Sequence, residues 1–73
     1  MTIADYINKP AAIYKNELAR IVGYSRWRNI QQIISRNKEL ADKLTQHGYQ
    51  KASKFLTPAQ GLIIATFLYN GQI

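Results

Sequence analysis

Pro10, Gly23, Gly48, Pro58 and Gly71 break this chain into short segments, and most of those segments carry apolar residues at helical spacing. Thr2 to Asn8 reads as a first helix, with Thr2 as cap, Asp5 at the capping-box position and Ile3, Tyr6 and Ile7 on one face. Lys15 to Val22 reads as a second, with Leu18, Ala19 and Val22 spaced for burial and Gly23 as its stop. A third is expected from Ser25, as N-cap, to about Arg36, with Trp27, Ile30, Ile33 and Ile34 in one stripe. Asn37 caps a fourth, Lys38 to His47, which Gly48 closes. Thr57, Pro58 and Gln60 together open a fifth that runs to about Tyr69. Between them, residues 49–56 lack a helical period and read as an extended arm or short strand. The expected fold is a single domain over 1–73: a compact all-α bundle of four to five short helices.

Charge is distributed unevenly. Ten Lys and Arg stand against four Asp and Glu, a net of +6. Residues 26–54 hold seven of those cations and two of the acids, while Phe55 to Ile73 holds no charge at all. A small body with a basic middle favours a polyanionic partner.

The chemistry for other classes is thin. With no cysteine, disulfides and thiolate metal sites are excluded. His47 is the one histidine, placed in a last helical turn where a cation complements the helix dipole. Asp5, Glu17, Glu39 and Asp42 form no carboxylate pair and accompany no nucleophile pattern. The expectation is a non-enzymatic binding domain without metal or cofactor. Met1 to Asp5 lack the basic region and apolar run of a signal peptide, so a cytoplasmic location is expected. The last helix, at about 13 residues, is shorter than the about 20 a bilayer needs, so no membrane role is expected.

Glu17 to Ser25 carries the most functional information. A helix-turn-helix needs a small residue in its first helix, here Ala19, so that the second can approach. Four residues later Gly23 turns the backbone through a conformation that other residues resist. The stretch resembles the prokaryotic helix-turn-helix superfamily: Leu18-Ala19, three residues, Gly23, one residue, Ser25, then apolar positions. It is most similar to small helix-turn-helix proteins of bacteria, phages and mobile elements, on Tyr14, Lys15, Glu17, Leu18 and Ala19, then Gly48-Tyr49, then Thr57, Pro58 and Gln60. The superfamily has an apolar residue four after the Ser, where this chain has Asn29 followed by Ile30. Either the turn is one residue longer here or the match is partly accidental.

The resemblance implies a transcriptional regulator or mobile-element accessory factor that reads double-stranded DNA with its third helix. With the Trp27 stripe turned inward, Arg28, Asn29, Gln31, Gln32 and Ser35 face outward, and their side chains suit base edges in the major groove. Lys15, Arg20, Tyr24, Arg26, Arg36, Lys38, Lys51 and Lys54 are the candidate phosphate contacts. No acid lies between Gly23 and Lys38 to repel a phosphate. Trp27 fits core packing better than base stacking. Leu62, Ile63, Phe67 and Tyr69 belong to a helix apolar nearly all round, which suggests a homodimer through that surface. A protein-interaction module, such as a phage-type inhibitor docking on an acidic partner, is the alternative. RNA binding is a third reading, without the aromatic and glycine signatures of common RNA modules.

Overall fold

The computed structural model describes residues 2–71. Five helices and a two-stranded ribbon follow in the order α1 (Ile3–Asn8), β1 (Ile13–Tyr14), α2 (Lys15–Val22), α3 (Trp27–Arg36), α4 (Lys38–Gln46), β2 (Phe55–Leu56) and α5 (Pro58–Gly71). The all-α bundle expected from the periodicity is present, with one addition. β1 and β2 pair antiparallel, Ile13 opposite Leu56 and Tyr14 opposite Phe55. Alternation across the ribbon buries Ile13 and Leu56 and exposes Tyr14 and Phe55.

Local chemistry sets most helix ends. Thr2 and Asp5 close a reciprocal capping box on α1. Gly23, at φ 93°, ends α2, and the next amide, Tyr24 N–H, reaches back to the Ala19 carbonyl at 2.8 Å. The Asn37 side chain accepts from the Leu40 amide and opens α4. Ser25 is not the cap of α3. That helix starts one residue later than its serine would set it, at Trp27, with Arg26 as N-cap and no side-chain cap bond. The connection from α2 takes residues 23–26, which leaves Asn29 exposed and brings Ile30 to full burial. Core register, rather than serine capping, fixes this start.

α5 is the central helix and packs against α1, α2, α4 and β2. Its uncharged composition follows from that position, since neighbours on several sides require apolar residues on several sides. Ile64, Ala65 and Leu68 join Leu18, Ile30, Leu40, Leu44 and Leu56 in the core. Gly61 admits Tyr6: a Cβ built there would stand 2.0 Å from the phenol oxygen, which donates to the Ala11 carbonyl at 2.6 Å. Gln60 is buried, and both of its side-chain polar atoms are hydrogen-bonded. Its side-chain oxygen accepts from the Thr57 amide at 3.1 Å, and its side-chain nitrogen donates to the His47 carbonyl at 2.7 Å. One residue thus joins the start of α5 to the end of α4.

Candidate nucleic-acid interface

The exposed side of α3 follows from what its other side buries. Ile30 and Ile34 are in the core, with Trp27 and Ile33 half-buried against it. Arg28, Asn29, Gln32, Ser35 and Arg36 are consequently exposed. Gln31 is half-buried, because its side-chain oxygen accepts a hydrogen bond from the Tyr49 phenol. The Ser35 hydroxyl donates to the Gln31 carbonyl at 3.0 Å, one turn back along the helix.

Trp27, Arg28, Gln31, Gln32, Ser35, Arg36 and Lys51 line one open hollow of about 590 Å³. Two arginines and a lysine converge there without a carboxylate. A second hollow, about 560 Å³, shares Trp27 and Lys51 and adds Arg20 and Lys54, with Glu17 as its one acid. Lys51 therefore stands where the two hollows meet, on the 49–54 segment that crosses beside α3.

Of the sequence-predicted residues, Arg28, Gln31, Gln32, Ser35, Arg36 and Lys51 come together in the first hollow, and Arg20, Lys54 and the largely buried Lys15 join Lys51 in the second. Asn29, Arg26 and Lys38 are exposed but line neither. Tyr24 is half-buried and packs against the core.

Lys15 requires a correction. It is 6% exposed, and its ammonium donates to the carbonyls of Gln50 at 3.0 Å and Lys51 at 3.2 Å. The same nitrogen lies 4.7 Å from the centre of the Tyr49 ring and 5.6 Å from that of Trp27. Burial lowers its pKa from the usual lysine value. A cation enclosed in this way is not a surface phosphate contact. The same surroundings raise the pKa of the Tyr49 phenol through burial.

Two features escaped the sequence reading. Tyr14 and Phe55, each about half exposed, stack across the ribbon with ring centres 4.0 Å apart. Their strands are only two residues long, so no alternating pattern signals them. The Lys15 enclosure is equally silent, since its parts lie about 35 positions apart.

Leu62, Ile63 and Phe67 are half-buried and line a separate groove of about 410 Å³ with Asn37 and with Glu39 and Lys43 of α4, while Tyr69 is exposed. Among the described residues there is no group of three or more side chains able to hold a metal ion, and no helix is long and apolar enough to cross a membrane.

These features define a small helical domain with a basic, carboxylate-free hollow on one exposed helix. Residues 11–70 match the family described as "Domain of unknown function (DUF4248)", and the chain belongs to that family. No significant match was found among curated proteins or among solved structures.

Proposed function

We propose that this domain binds double-stranded DNA, with the outer face of α3 in the major groove, as a small transcriptional regulator or mobile-element accessory factor. The observation that carries the reading is the convergence of Arg28, Gln32, Arg36 and Lys51 on one carboxylate-free hollow. Arg28 and Gln32, with the neighbouring Asn29, are the base-reading residues, because arginine pairs bidentately with guanine and asparagine or glutamine with adenine. Arg20, Arg26, Arg36, Lys38, Lys51 and Lys54 meet phosphates and set the orientation. Gln31 and Ser35 reach the same groove, Gln31 through the amide nitrogen that its bond to Tyr49 leaves available. On this reading α2, the four-residue connection 23–26 and α3 serve as a helix-turn-helix.

The α4–α5 groove supports a second element of the proposal, a homodimer through Leu62, Ile63, Phe67 and Tyr69. Two-fold symmetry would present two copies of α3 to half-sites about 34 Å apart. Selection of bound duplexes from a random pool tests both elements. An enriched, inverted-repeat motif is the expected result, and a pool without enrichment would reject sequence-specific binding.

A further inference from the structure

An ammonium group taken out of water needs partners, and Lys15 finds all of those named above in one segment and one ring pair. Two successive carbonyls, those of Gln50 and Lys51, accept from its Nζ. Its own backbone amide donates to a third carbonyl, that of Lys54, at 2.9 Å. The first residue of α2 thus holds the arm at both ends. Of the two rings beside the ammonium, Tyr49 belongs to the arm and Trp27 opens α3. Tyr49 then reaches α3 again through Gln31. Among the side chains these ties leave exposed on the arm, Lys51 lines both basic hollows.

We propose that Lys15 is the positioning residue of the interface. It fixes the 49–54 arm to α2 and α3 so that Lys51 and Lys54 meet the phosphodiester backbone beside the groove that α3 enters. This rests on the DNA-binding reading above. Because the enclosing contacts are buried, salt screens them far less than it screens the phosphate contacts they orient. The arm keeps its place while the DNA comes and goes.

Lys15→Met tests the role, since it keeps the apolar stem and removes the ammonium. In the protein without DNA, amide hydrogen exchange at Ser53 and Phe55 should quicken by about tenfold, with the α5 amides unchanged. On duplex DNA, Lys51→Ala should lower the slope of log K against log salt by about 0.9, the loss of one phosphate contact. Lys15→Met should lower it by up to about 1.8, because it releases Lys51 and Lys54 together, and the double variant should be no worse than Lys15→Met alone. Should Lys15→Met lose its helical circular dichroism, Lys15→Gln, which keeps a donor for one carbonyl, takes its place in the comparison. Unchanged exchange in the arm, or losses that add in the double variant, would overturn the positioning role. Faster exchange in a protein whose wild type shows no salt-dependent DNA binding would reject the DNA reading and the positioning role with it, leaving a purely structural clip.

Discussion

The phenol of Tyr49 donates a hydrogen bond to the side-chain oxygen of Gln31, and this contact helps tie the arm to the exposed helix. It makes Gln31 part structural, so its substitution should act on stability first. Gln31→Ala strands a part-buried phenol and is expected to cost about 1–3 kcal/mol, while Tyr49→Phe, which removes the hydroxyl and keeps the ring, should cost about 1 kcal/mol. Urea midpoints at unchanged slope measure both. A Gln31→Ala protein as stable as wild type would mean that the bond contributes nothing.

The contact between Tyr6 and Gly61 should be the least tolerant point of the fold. A methyl at position 61 would overlap the Tyr6 phenol oxygen, and the ring carbon bearing it is only 3.0 Å away. Gly61→Ala is expected to cost about 1–3 kcal/mol through overpacking. Adding Tyr6→Phe removes the closest atom and should restore part of that loss. Thermal melts of the two variants and their combination check the coupling, which additive losses would exclude.

Much of this fold is legible in the sequence because much of it is set locally. The Thr2–Asp5 and Thr57–Gln60 boxes and the glycine stop at 23 each depend on residues within a turn or two of one another. Ser25 misleads for the converse reason: burial of Ile30 and Ile34 outweighs a favourable cap and moves the helix start to Trp27. A lysine opening a helix reads as surface, yet Lys15 is enclosed by residues that only the folded chain brings near. The hollow beside α3 is legible in its helical members and in Lys51 as a basic residue of the arm, whereas the contacts that hold the arm beside α3 are not.

Alkaline pH should unfold the domain through its phenols. Burial raises the pKa of both Tyr6 and Tyr49 above the ordinary 10.0. A group whose folded pKa is raised contributes stability that is complete below the unfolded value and is lost as pH rises through the folded one. Lys15 has the opposite sign: its lowered pKa makes stability rise with pH in the window below its ordinary 10.5. Loss of helical circular dichroism is therefore expected only above about pH 10, in step with late phenol ionisation followed by ultraviolet absorbance. Early ionisation of all five tyrosines in a protein still folded would contradict this.

The α4–α5 groove predicts self-association. Sedimentation equilibrium should report a dimer that Ile63→Lys or Phe67→Lys converts to monomer with its helical content retained. Both residues are half-buried at the groove, so a charge there meets the partner's apolar surface. A monomeric wild type at high concentration would remove the dimer while leaving the DNA-binding proposal standing.

The most direct test of the central claim is fluorescence anisotropy of labelled duplex DNA, titrated with protein across a salt series, for wild type, Arg28→Ala and Gln32→Ala. On the selected sequence each variant should lose about 1–3 kcal/mol of binding and discriminate less at one base pair, while the wild-type affinity falls steeply with salt. Undiminished, equally selective binding by both variants would contradict the assignment of α3 as the reading helix, and a wild type that binds no duplex at low salt would contradict DNA binding itself.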